Sequence, residues 1–237
     1  MHRYRLKTLG LYLAIATLGV MAFAAAGAQA EALTGELGTF LVLGAVPAAG
    51  TLATGRQVGS GKLLVPLLGL TLECTAGDVN EGKFTGTTGM EALIKVVFLG
   101  CKTFEFEAPH EELPCTVHNT GFAVGEILAT AILLPVKHNG GHYVVIHPDG
   151  STKFAEVKLE GPECPVPLNN VVTGLVAGEV LNALEGTHSK VVHFNEAIQK
   201  LLAAKLKYGT NGGEKEAFID ALVEVELVAV GCTFSMI

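Results

Sequence analysis

Eight histidines, five cysteines and 23 acidic residues are the groups with which this 237-residue chain could do chemistry. His138 and His142 flank Asn139-Gly140-Gly141. Side chains alternate faces along a strand, so a three-residue loop would pair these two rings within reach of one metal ion. A two-residue loop would separate them. Two imidazoles also fall short of a typical zinc site, which takes three or four protein ligands. His147 has the opposite parity to His142, and His193 the opposite parity to His188. His110 and His118 bracket Cys115 beside Glu111 and Glu112, an arrangement in which a Cys–His nucleophile is conceivable. A disulfide at Cys115 would remove the thiolate.

Other catalytic patterns are missing. After residue 30 the serines are Ser60, Ser151, Ser189 and Ser235, and none sits in Gly-x-Ser-x-Gly. Gly55–Lys62 (GRQVGSGK) fails as a phosphate loop, because Arg56 stands where the first glycine is needed and Leu63 where Ser or Thr is needed. Paired carboxylates can hydrolyse glycosides. Glu105, Glu107, Glu111 and Glu112 cluster in one segment, and Glu224 and Glu226 share a strand face. An acidic loop and a solvated strand face explain both groups. The sequence therefore offers no catalytic, cofactor-binding or metal-binding set.

The first thirty residues carry the strongest motif. MHRYRLK is basic, Leu9–Phe23 is unbroken and apolar, and Ala28-Gln29-Ala30 matches a small-x-small cleavage site. This is the pattern of a secretory signal peptide cut near Ala30. An uncleaved anchor is the other reading, since Leu9–Ala28 approaches the ~20 residues of a membrane span. Cleavage leaves one exported domain, Glu31–Ile237, extracellular or associated with the cell envelope, with no membrane-crossing helix of its own. The whole chain has 16 cations and 23 acids, a net of −7; without Arg3, Arg5 and Lys7 it has 13 against 23, a net of −10. That acidity excludes nucleic acid as a partner.

All five cysteines, Cys74, Cys101, Cys115, Cys164 and Cys232, follow the leader. Export favours disulfides. The expected pairing is Cys101–Cys115 with Cys74–Cys164; the alternative is Cys74–Cys101 with Cys115–Cys164. Either leaves Cys232 as a free thiol.

The elements that must position these groups read mainly as strands. Residues 31–60 suggest one strand, Phe40–Val46, and then loose turns. Pro66 splits the apolar run 62–74, and 75–83 is a turn cluster. Ala92–Leu99 is a buried strand. Val124–Val136, His142–His147 and Lys153–Glu160 are expected to form a β-meander with turns at Asn139–Gly141 and Pro148–Gly150. Val171–Leu184 contains Gly174 and Gly178 and reads as a strand with a bend. Lys190–Phe194 is a further strand. Asn195–Leu206 has helical spacing, with Ile198, Leu201, Leu202 and Leu206 on one face and Asn195 as cap. Ala217–Val230 reads as a closing strand.

The order of motifs resembles an uncharacterised family of exported, β-rich proteins of soil actinobacteria. The carrying features are Leu72–Cys74, Val96–Cys101, Pro114–Thr116, Val124–Ile127, Glu163-Cys164, Phe194–Gln199 and Lys207–Phe218. The resemblance covers about residues 70–230. It implies four shared cysteines, with Cys232 an addition, and strand-and-loop structure near 195–206. It implies no activity, cofactor or catalytic residue.

The fold expected is an antiparallel β-sandwich or distorted barrel with one short helix near 195–206. The function expected is that of a non-enzymatic structural or interaction protein of the cell surface or extracellular space, with a protein or envelope partner. The alternatives are a module binding a small apolar ligand and a secreted hydrolase using carboxylates. An outer-membrane barrel is disfavoured, because aromatics are 6% of the chain and the apolar runs do not alternate in ~10-residue segments.

Overall fold

The computed structural model describes residues 35–85, 91–119, 121–166, 169–210, 212–228 and 233–237. The leader and Cys232 lie outside the described residues. In chain order the strands are β1 (Glu36–Leu37), β2 (Phe40–Val42), β3 (Leu52–Val65), β4 (Leu70–Cys74), β5 (Ala76–Phe84) and β6 (Ala92–Leu99). Next come β7 (Lys102–Glu105), β8 (Thr116–His118), β9 (Ile127–His138), β10 (Gly141–Pro148), β11 (Lys153–Glu160) and β12 (Asn169–Gly174). The last are β13 (Val176–Leu181), β14 (Ser189–Phe194), the helix α1 (Glu196–Leu201), β15 (Leu206–Gly209), β16 (Lys215–Leu227) and β17 (Phe234–Met236).

Eight strands close into an antiparallel barrel in the order β3-β5-β6-β9-β10-β13-β14-β16, with β16 returning to β3. Two long strands serve a second sheet as well. Along one edge, β3 pairs with β5 through Leu52–Arg56 and with β4 through Gly61–Val65. β16 pairs with β14 through Ala221–Glu226 and with β15 through Lys215–Ala217. The flanking strands β7 and β4 continue from β3, and β15, β12, β11 and β8 continue from β16. The β3–β16 ladder slips register between Asp220 and Leu222, opposite Gly59. A bulge there bends both strands as they pass from barrel to flanking sheet.

The mainly β, antiparallel, barrel-containing fold is thus the one expected, and so is a short helix. Asn195 caps α1: its side chain accepts a hydrogen bond of 2.9 Å from the Ile198 amide. Ile198 and Leu202 are buried against Val136, Tyr143, Val145 and Ala177 on the barrel's outer wall. Leu201 stays exposed and Leu206 begins β15, so the helix is shorter than its periodic segment.

Four expectations are corrected. First, residues 52–60 and 76–83, read as turns, belong to the long strands Leu52–Val65 and Ala76–Phe84. Gly61, Gly77 and Gly82 are placed inside the barrel, where a small residue is needed, and a turn reading mistakes that for looseness. Second, β9 and β10 pair, but β11 does not continue them. It pairs with β8 and β12 in the flanking sheet, because β13 occupies the free edge of β10. Third, the bend expected in Val171–Leu184 divides two strands. Gly174 has φ 93°, and a Cβ there would lie 2.0 Å from the Lys205 carbonyl oxygen. Only glycine allows that crossing from flanking sheet to barrel. Fourth, the disulfides are Cys74–Cys101 and Cys115–Cys164. β4 and β7 are hydrogen-bonded neighbours, which brings the end of β4 beside the turn before β7 and decides the first bridge. The ladder β8–β11 brings together the segments holding Cys115 and Cys164.

Candidate functional site

Inside the barrel the inward side chains are small or aliphatic. Strand β6 contributes Ile94, Val96 and Phe98; β9 contributes Ala129, Ala131 and Leu133; β16 contributes Ala221, Val223 and Val225. An eight-stranded barrel is just wide enough for side chains to fill it. Here alanines and the inward glycines Gly61, Gly77 and Gly82 leave a cavity of about 230 Å³. Several wall residues on β6, β9 and β16 consequently keep accessible surface although they point inward.

Residues from outside the eight strands line the cavity toward each end. At one, β2 pairs with β17, and Phe40 packs edge-to-face on Phe84 with ring centroids 5.6 Å apart. The Met236 amide donates to the carbonyl of Ala183 at 2.8 Å, tying this strand pair to the turn after β13. At the other end the wall is continued by Phe154 and Val157 of β11 and Val172 of β12.

The polar residues of this lining are Thr54, Gln57, Lys62, Lys83 and Lys190. Gln57 Nε2 donates to the carbonyls of Gly59 (2.7 Å) and Cys74 (2.9 Å). Its Oε1 lies 2.6 Å from where a Cβ on Gly61 would be, so that glycine makes room for the carboxamide. Lys190 shares inward parity with Val192 and Phe194 and is only 2% exposed. Its Nζ donates to the carbonyl of Asn182 at 2.6 Å and to that of Glu185. Burial pushes the Lys190 pKa down, and the charge of Glu185 acts in the opposite direction.

Part of the outer face is charged. Arg56, Asp78, Lys95 and Glu224 point outward from mid-strand, with ion pairs Arg56–Glu224 and Lys95–Glu81 both at 2.8 Å. Among the described residues no helix is long and apolar enough to cross a membrane.

The residues singled out from sequence do not assemble into a site. Asn139 and Gly140 form a two-residue turn, both with positive φ, and Gly141 pairs with His138 while His142 pairs with Lys137. The two rings therefore separate. His138 contacts Asn139 at 2.9 Å, and burial followed by the nearby Lys137 charge lowers the His142 pKa. Among the described residues no group of three His, Cys, Asp or Glu could hold a metal. Cys115 is bridged, so its thiolate is lost to the Cys–His arrangement. His118 instead meets Glu160 at 3.1 Å; the Lys158 ammonium, and then His118, hold that carboxyl below its ordinary range. His110 stacks on Phe104. Glu112 pairs with Lys102 at 2.9 Å. Glu224, Glu226 and Asp78 line a polar groove on the outer surface in which Arg56, and then Ser189, lower the Glu224 pKa.

Lys190 and Gln57 were not singled out from sequence. For Lys190 a signal exists: in Lys190–Phe194 it falls on the same face as Val192 and Phe194. For Gln57 the bulge at Gly59 breaks the parity count. Comparison with protein-family models, curated proteins and solved structures finds no match.

Proposed function

We propose that this chain is an exported, non-enzymatic binding module whose barrel holds a small apolar ligand. The cavity carries the reading. A cavity of about 150 Å³ with an aliphatic and aromatic wall stays dry and takes up benzene. The barrel's cavity is larger, about 230 Å³, and its wall is of the same kind. Export is supported by the basic, apolar and small-x-small pattern of residues 1–30 and by two disulfides, which persist in oxidising compartments.

The test is titration of the oxidised protein with benzene, p-xylene and octane, read as a saturable rise in Tm. Ala129→Leu, which projects into the cavity, should abolish the shift. It should itself stabilise the fold by about 1–2 kcal/mol if the side chain fills empty space. Absence of a shift with every probe would overturn the binding reading. That outcome would favour the second reading, a structural or interaction protein of the cell surface. The observation behind the second reading is the cavity's size, which lies below the ~300 Å³ at which pockets for drug-sized ligands begin.

A further inference from the structure

Charge is absent from two long stretches of this chain. Residues 37–55 and 227–237 contain no Asp, Glu, Lys, Arg or His. The fold brings both to one end of the barrel. There β2 pairs with β17, and the Val228 amide donates to the Leu52 carbonyl at 3.1 Å. The turn after β13 joins them through the Met236–Ala183 hydrogen bond. Large apolar side chains are exposed at this end: Leu43, Val46, Leu52, Leu184, Val228 and Ile237. Charge resumes at its border with both signs, at Glu36, Lys83, Lys137, Glu185 and Glu226.

Leu43 is the most constrained of them. It forms a two-residue turn with Gly44. The Val42 amide donates to the Ala45 carbonyl at 2.7 Å, and the Ala45 amide to the Val42 carbonyl at 3.0 Å. The φ of Leu43 is 52°, in the left-handed region that such turns ordinarily fill with Asn, Asp or Gly. A leucine there is strained, and it is 64% exposed. Neither backbone preference nor core packing accounts for it; an apolar surface to meet does. The chain also leaves its leader at this end. β1 pairs with Val136 and Lys137 of β9, and four residues separate Gly35 from the cleavage expected at Ala30. Such a segment spans at most about 14 Å. A leader held in a membrane during export therefore keeps this end beside the bilayer.

We infer that this end of the barrel docks on a neutral lipid bilayer. Leu43 and its apolar neighbours enter the interface, and the mixed charges of the border meet zwitterionic headgroups. A charge-free face loses no ionic hydration on entering that interface. With 13 cations against 23 acids after the leader, the protein is repelled by an anionic surface and by a second copy of itself; a neutral surface spares it both. Docking does not require an occupied cavity and goes beyond the apolar-ligand reading.

The chain has no tryptophan, so a single introduced indole reports on its own surroundings. The experiment is fluorescence of Leu43→Trp in the exported, oxidised protein mixed with phosphatidylcholine vesicles, plain or brominated in the acyl chains. The control is Leu67→Trp, on the exposed turn between β3 and β4. Emission of Leu43→Trp should shift to the blue on vesicles and fall by about half on the brominated ones, while Leu67→Trp is unchanged. Leu43→Asn removes the apolar side chain and suits the turn, so the fold is kept. It should weaken vesicle binding about tenfold, as expected for one leucine returned to water. An unquenched Leu43→Trp, equal quenching of both indoles, or full-strength binding by Leu43→Asn overturns the inference. A blue shift that grows with protein concentration in the absence of lipid also overturns it, and assigns this face to a second copy. Failure of the cavity to take up benzene, p-xylene or octane leaves these outcomes untouched, so the two readings fall separately.

Discussion

A lysine inside a hydrocarbon wall must leave a trace in the pH dependence of stability. Burial lowers the Lys190 pKa in the folded state below its ordinary value. Between the folded and unfolded pKa values the unfolded chain therefore binds more protons. Stability then rises with pH across that window. The cost of burying the ammonium is fully present below the folded pKa and is gone above the ordinary lysine range. Other groups titrate in the same alkaline window, so the difference between the unsubstituted protein and Lys190→Met is the quantity to measure. Urea denaturation at a series of pH values should show the unsubstituted protein gaining on the variant as pH climbs toward the ordinary lysine pKa. A difference that is flat with pH would mean that the amine is not desolvated. His138 and His142 make the complementary point at the same scale. One residue of loop length decides whether two imidazoles share a face, and Asn139 and Gly140 form a turn of two.

Among the elements, β3 and β16 govern the architecture, since each runs through both sheets. The chain crosses between sheets at a few backbone positions, and Gly174 is the most constrained of them. Its φ of 93° and the 2.0 Å approach of the Lys205 carbonyl leave no place for a methyl group. Gly174→Ala should destabilise the protein by about 3 kcal/mol or more, because the strain adds to a backbone clash. Chemical denaturation would register this as a lower midpoint with unchanged slope. A Gly174→Ala variant as stable as the parent would show that β12 and β13 can separate without a left-handed residue. The inward glycines of β5 have a different task. Gly77 faces Phe98, and Gly82 lies 2.6 Å, by a notional Cβ, from the Ala53 carbonyl oxygen. The same residue type that suggested loose turns here permits close packing of a strand.

For the molecule as a whole, one bridge joins the end of β4, beside β3, to the turn before β7, and the other joins the segments flanking the β8–β11 ladder of the flanking sheet. Cys74–Cys101 closes a sequence separation of 27 and Cys115–Cys164 one of 49. On chain entropy, losing each should cost about 3–4 kcal/mol, slightly more for the longer loop. Thermal unfolding of the double variants Cys74→Ala/Cys101→Ala and Cys115→Ala/Cys164→Ala would measure this. Peptide mapping of the non-reduced protein would meanwhile establish the pairing chemically. The enclosed aliphatic interior is a property of the closed assembly, although β16 alone already shows the alternation, with Val223 and Val225 inward and Glu224 and Glu226 outward.

Much was legible in the residues alone. Alternation and turn chemistry determined that the chain is β-rich and antiparallel. They located Ala92–Leu99 to the residue and marked the hairpin at Asn139-Gly140, and the cap at Asn195 marked the start of the helix. These are local properties, set by side-chain period and by backbone dihedral preference. Tertiary structure decided the rest: that β11 leaves the β9–β10 hairpin, that Cys74 meets Cys101, that eight strands close, and that the buried Lys190 ends on the carbonyls of Asn182 and Glu185. The reason is that alternation reports which face a residue occupies and says nothing about which strand lies alongside. Neighbours are chosen by competition among distant edges. The cavity, made by small residues on β3, β5, β9 and β16 meeting across the barrel, exists only once that competition has been settled.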